Sequence, residues 1–510
     1  MKNRHLIGGF VIVTFLSVNV LSLARRVVGL LSPRATYYVA TTGNDTTGDG
    51  SEGNPWLTIQ KACNSVSAGD TVNVAAGTYT GRWVLTADGA EGSMITFQGA
   101  GIGSTISVGG FDIRDSEWTK IDGFEFDCSS LVGGNYCGMT AYSTGDNTHY
   151  CDNAIISYCK FRDHSNASET LLGVQGQSCT VEHNTFGPSS SKGLQIGGTS
   201  NQGLDSNAVL VEHNTFEYLG SDLMRVWGHD QTVRYNTFQH IYDQPSGGHP
   251  DIVQTFGPGV SYNILWEGNL HFDIPAAQFG QFSQKGQADV RDWTFRNNIY
   301  WDCRWAGNVN APGFEFYNNT FFKSGKNTGH FIFLRSCLGD GRGRADNTVF
   351  KNNIFVDIGT DARPNFAKGY YMPTSCSAGD TLLQEVLDTF DPDYNYFAMK
   401  GPTYDIPALL ADYCVDKSWE CNSQLGGDPH FIDETAGDLR VIEGSDSPAI
   451  GNGTNLYKLF TTDIQGTARA AEGAWSLGAY AGEYVPTIPP VVEFPVVGDF
   501  TSRLRMRGFK

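Results

Sequence analysis

The chain has 510 residues, with 61 Gly, 19 Pro, 12% aromatic and 17% charged residues, and a formal charge of −19. Aromatic and β-branched residues this plentiful exclude bulk disorder, and a 40% hydrophobic content supplies a large core. An acidic surface repels phosphate backbones, which excludes a general nucleic-acid binder.

Lys2 and Arg4 precede an apolar run from Leu6 to Ala24, and Ser22, Leu23 and Ala24 offer a cleavage site. Residues 1–24 therefore read as a secretory signal. The alternative is an uncleaved membrane anchor, because the run approaches the roughly 20 residues that span a bilayer. Both readings export the remainder, so a secreted or cell-surface location is expected. Eleven cysteines suit an oxidising compartment. Spacing suggests local pairs Cys128/Cys137, Cys151/Cys159 and Cys414/Cys421, with Cys337/Cys376 also open and Cys63 or Cys303 left over.

A short phrase recurs along the middle of the chain: Val181-Glu-His-Asn-Thr-Phe186, Val211-Glu-His-Asn-Thr-Phe216 and Val233-Arg-Tyr-Asn-Thr-Phe238. Degenerate copies place the shared Asn at 184, 214, 236, 269, 298, 319 and 353. Steps of 21 to 34 residues between these Asn positions indicate a solenoid. The unit is too short for a propeller blade, and its apolar residues alternate with period two. Each unit supplies a strand, a bend at the Asn, and an inward aromatic; stacking lets the Asn side chains bond in a ladder. The fold class read from this is all-β, a single-stranded right-handed parallel β-helix over 37–397, with Thr58–Ser65 as a short capping helix. Residues 398–484 read as an irregular closing segment, and 485–510 as a Pro-rich tail with a basic end.

The opening Tyr37-Tyr-Val-Ala-Thr-Thr-Gly-Asn-Asp45, with Gly53-Asn-Pro-Trp56, Ala68-Gly-Asp-Thr-Val72 and Gly77-Thr-Tyr79, resembles the pectate-lyase-like right-handed β-helix proteins. Ser447-Pro-Ala-Ile450, Asp463-Ile-Gln-Gly466 and Leu477-Gly-Ala-Tyr480 resemble the closing element of secreted members. The resemblance implies a carbohydrate-active protein acting on a polysaccharide. Lyases, epimerases, glycoside hydrolases and non-catalytic fibre or adhesin proteins all share the fold, which does not choose among them.

Within each coil, the strand before the next repeat should face a groove. Parity puts Met224 and Val226 inward and Arg225 and Trp227 outward, with Gln195 one coil earlier. The next coils add His249, Asp251 and Gln254, then Gln278 and Gln281, with Lys285 in the following turn. The stripe suits a uronate lyase, which neutralises a carboxylate, removes the adjacent C5 proton and handles the leaving oxygen. Arg225, His249, Asp251 and Lys285 are the catalytic candidates, and Gln195, Trp227, Gln254 and Gln278 the substrate-binding ones. Asp222, Asp230 and Asp243 are candidate Ca²⁺ ligands, bridging an acidic protein to an acidic glycan. A hydrolase would instead pair Asp222 with Asp251. Arg225 bound to Asp222, and Lys192 and Lys285 as solvated loop lysines, are the structural alternatives. The expected protein is a monomeric, secreted polysaccharide lyase without nucleic-acid partners. Membrane contact arises only through an uncleaved N-terminus.

Overall fold

The computed structural model describes residues 34–131, 136–141, 151–198, 206–242, 250–255, 259–283, 289–325, 330–335, 337–338, 343–358, 368–371, 381–382, 384–398, 414–415, 418–442 and 444–481. The N-terminal segment 1–24 and the tail 485–510 lie outside them. Among the described residues no helix is long and apolar enough to cross a membrane.

Each coil has three faces. The first-face strands stack in parallel and in chain order from Thr36–Val39 to Asp391–Asp393. One coil serves as the type. Thr180–Glu182 lies on the first face, Asn184 turns the chain, Thr185–Phe186 forms the second face, and Lys192–Ile196 forms the third. The next coil begins at Leu210, paired with Thr180. Twelve steps at about 4.8 Å make a rod roughly 58 Å long. The expected right-handed parallel β-helix is the fold. The helix Ile59–Cys63 stands near its start, with the Thr58 side chain accepting from Lys61 N.

The Asn repeat is a continuous hydrogen-bonded ladder through positions 184, 214, 236, 269, 298, 319, 353 and 395. In each step the backbone N and side-chain Nδ2 of one Asn donate to Oδ1 of the next, at 2.9–3.2 Å. Asn395 extends the row read from sequence. Its amide ends the ladder on the Glu420 carboxylate at 3.0 Å. An aromatic ring points inward two residues after each Asn and at the matching place in the two coils before the ladder. Phe126, Phe161, Phe186, Phe216, Phe238, His271, Tyr300, Phe321, Phe355 and Phe397 stack with centroids 4.2–5.3 Å apart. His271 fits this column as a neutral ring: its Nδ1 bonds Ile299 O, its Nε2 accepts from Trp266, and burial pushes its pKa down to about 3.

The residue just before each ladder Asn takes a left-handed conformation, and its identity decides what covers the corner. Tyr158, His183, His213 and Tyr235 have φ of 49–56° and stack on one another on the outer surface. Both histidines thus pack the outer corner. In later coils the same position is Asn297, Asn318 and Asn352, which donate to Thr462 O, Ser476 O and Thr454 O of the closing segment. That segment adds an antiparallel pair, Phe431–Asp433 with Asp438–Val441, and packs Phe431, Leu439 and Leu477 against Ile299, Phe322 and Ile354.

The disulfides Cys128–Cys137 and Cys414–Cys421 form as expected. Cys151 and Cys159 do not join. They sit in the core on opposite ends of one first-face strand, Ile155–Ser157, so their thiols meet different neighbours: Ile113 O and Ser157 O, each at 3.1 Å. Cys63 and Cys303 are buried thiols, and Cys376 lies outside the described residues.

Candidate active site

Third-face strands carry two registered rows of polar residues across neighbouring coils. The outward row runs Gln195, Arg225, Gln254, Gln281, Asn308. Leu194, Met224 and Val253 alternate with it and are buried in the core, which fixes the parity expected for Arg225. Three residues earlier, at the corner where the third face begins, stand Lys192, Asp222, Asp251, Gln278 and Trp305. Here Asp251 pairs with Gln278 and Gln278 with Trp305. Asp222 lies between Lys192 and Asp251, since Gly193 N donates to Asp222 O and Leu223 N to Asp251 O.

Arg225 links the rows. Its guanidinium meets Asp222 Oδ2 at 2.7 Å, and its side chain keeps 20% of its surface exposed. Asp222 Oδ1 accepts from Asp251 N at 3.2 Å. Asp251 is fully buried, and its Oδ2 accepts from Gln254 Nε2 at 2.7 Å. Gln195 directs Nε2 to Gly197 O at 3.2 Å.

Lys192, expected as a solvated loop residue, is the first residue of its strand and only 6% exposed. The strand starts one residue earlier than its apolar pattern announces, and this draws the lysine into the corner. Its Nζ donates to Ser168 O and lies 3.5 Å from Ala167 O. Burial, reinforced by the nearby Arg225 cation, pushes its pKa down to about 8. Tyr136 also escaped sequence reasoning, although it adjoins Cys137. The Cys128–Cys137 disulfide tethers it, and its ring lies over Gly173, where a Cβ would come within 2.8 Å. Its phenol bonds Gln195, and burial raises its pKa, so it holds its proton at neutral pH.

Trp227 corrects an expectation. It is 1% exposed and cannot be a sugar platform. The strand ends at Val226, and Gly228 at φ 98° turns the chain, so alternation no longer governs the side chain. The indole lies against Gly259, where a Cβ would approach within 2.6 Å. An exposed indole on the rows is instead Trp305, at 40%. His249, Lys285 and Asp243 lie outside the described residues.

Among the described residues no three His, Cys, Asp or Glu side chains gather around one point. Asp222 is committed to Arg225 and the Asp251 backbone, while Asp230 bonds His229 Nδ1 at 2.6 Å and the Asn263 amide. The described donors therefore do not fit the expected Ca²⁺ site. The Arg225–Asp222 ion pair, a depressed lysine and a protonated phenol instead offer proton transfer beside a fixed cation.

Structural comparison gives two relatives by fold. A mutant of the PL6 family alginate lyase AlyGC aligns with TM-score 0.54 and 14% identity, over 85% of this chain and 59% of that one. A mannuronic acid specific polysaccharide family 6 lyase from human gut microbiota aligns with TM-score 0.51 and 15% identity, over 74% of this chain and 88% of that one. This chain thus spans 59% of the first relative's length. At these identities the likeness establishes the fold, shared with polysaccharide lyases. No curated protein matches the sequence. A family model described as "Protein of unknown function (DUF1565)" matches residues 41–311, which covers both rows described above, and the chain belongs to that family.

Proposed function

We propose that the protein is a polysaccharide lyase that cleaves a uronate-containing glycan by β-elimination, with Lys192 as base. The observation that carries this reading is the placement of Lys192 beside Arg225 on adjacent coils, over the Asp222–Asp251 pair. Arg225, held by Asp222, meets the uronate carboxylate and makes the C5 proton more acidic. Neutral Lys192 Nζ takes that proton; the C–H electrons form the C4–C5 double bond, and the C4–O4 bond breaks. Tyr136, protonated at Gln195, supplies a proton to the leaving oxygen. The names of the two fold relatives, an alginate lyase and a mannuronic acid specific lyase, agree with an acidic glycan. A hydrolase using Asp222 and Asp251 is less well supported, because both Asp222 oxygens already serve Arg225 and the Asp251 backbone. Secretion also belongs to this proposal, as does the monomeric state.

The pH dependence of turnover tests the base. Lys192 must be neutral to act, so kcat should rise about tenfold per pH unit up to a bend near pH 8. A profile flat from pH 6 to 9 would remove Lys192 from the role.

A further inference from the structure

Beside the candidate site, the loops between the second and third faces form a groove of 640 Å³ across five coils, lined by Asp163, His164, Ser190, Tyr218, His240 and Tyr242 among others. That volume lies within the roughly 300–1,000 Å³ typical of ligand clefts. Tyr242 is 48% exposed, and Tyr218, His240 and Tyr242 form a ring cluster with centroids 5.4–6.4 Å apart. Asp273 fixes this cluster: its Oδ2 accepts from the Tyr242 hydroxyl and lies 3.1 Å from His240 Nδ1. Rings held this way, next to the Ser189 and Ser190 hydroxyls, match a pyranose, which presents an apolar C–H face and a hydroxyl edge.

The charge around the groove is negative. Glu125, Asp127 and Asp163 share the single guanidinium of Arg162, and Asp273 adds a further carboxylate. A uronate there would meet like charge, whereas a neutral sugar would not. The groove also abuts the site, since Ser190 and Gly220 stand two residues before Lys192 and Asp222.

We infer that this groove binds a neutral hexose unit of the substrate, next to the uronate held at Arg225. The substrate class is then a heteropolysaccharide in which uronate adjoins neutral sugar, as backbone neighbour or branch, and not a homopolymeric uronan. This deepens the lyase reading and rests on it for the substrate.

Calorimetric titration of the full chain with cellotetraose, mannotetraose and a mannuronate tetramer tests it without requiring turnover. At least one neutral tetrasaccharide should bind. Tyr242→Ala and Tyr218→Ala should weaken that binding tenfold or more, while Tyr242→Phe, which keeps the ring, and Lys192→Met should preserve it within threefold. Absence of neutral binding, neutral binding indifferent to both Ala variants, or Ala variants that weaken only the mannuronate tetramer would each overturn the inference. Failure of the lyase reading would appear separately, as turnover surviving in Lys192→Met with neutral binding intact.

Discussion

Asn298→Leu, which keeps the number and branching of side-chain heavy atoms, is expected to destabilise the protein by about 4–6 kcal/mol. Asn298 Oδ1 accepts from Asn269 N and Nδ2, and its Nδ2 donates to Trp266 O and Asn319 Oδ1. Leucine removes all four bonds inside a corner where Asn269, Asn298 and Asn319 are wholly buried. Each abandoned group costs about 1–3 kcal/mol, and water has no route to replace the bond. Denaturant midpoints and protease resistance read the effect. A loss under about 1 kcal/mol would mean that strand pairing alone supports the coils.

Lys192→Met is expected to lower turnover by about 10²–10⁴-fold, the range of a lost general base, without destabilising the fold. The sign follows from the depressed pKa. Unfolded, the lysine binds its proton up to its ordinary value of 10.5; folded, it loses it near pH 8. Its charging therefore opposes folding at every pH below about 8, and this penalty fades as pH rises from 8 towards 10.5. At neutral pH the shift corresponds to about 3 kcal/mol. Methionine removes that penalty but strands the Ser168 carbonyl, at a cost of about 1–2 kcal/mol. A net gain of about 1–2 kcal/mol should remain, visible as a higher melting temperature. Activity within tenfold of wild type, or a clear loss of stability, would show that Lys192 is a structural cation.

The parts of this architecture that repeat were legible before the structure. The Asn ladder, the aromatic column and the parity of Leu194, Met224 and Val226 all follow from residues recurring at matched positions, because each coil must present the same groups to its neighbours. Asn395 was missed, since its unit Asp393-Tyr-Asn-Tyr-Phe397 lacks the preceding Phe or Val, though its Asn and Phe keep the spacing. What failed lies where the chain leaves the strand. Trp227 follows the last paired residue and turns under Gly259, and Lys192 precedes the first apolar position and enters the corner. Period-two alternation carries no information past a strand end. The Asn297, Asn318 and Asn352 contacts join residues over 100 positions apart, so no local pattern announces them. Their signal was present nonetheless, as the doubled Asn that appears only in the coils the closing segment covers.

The most direct test incubates the protein with uronate homopolymers, uronate-containing heteropolysaccharides and neutral polysaccharides. Two signals are followed together: ultraviolet absorbance from unsaturated uronic ends, and new reducing ends. Both should rise in step on a uronate-containing heteropolysaccharide, and neither should appear on a neutral one. Reducing ends without absorbance would make the protein a hydrolase, and silence on every uronate substrate would contradict the elimination chemistry assigned to Lys192 and Arg225.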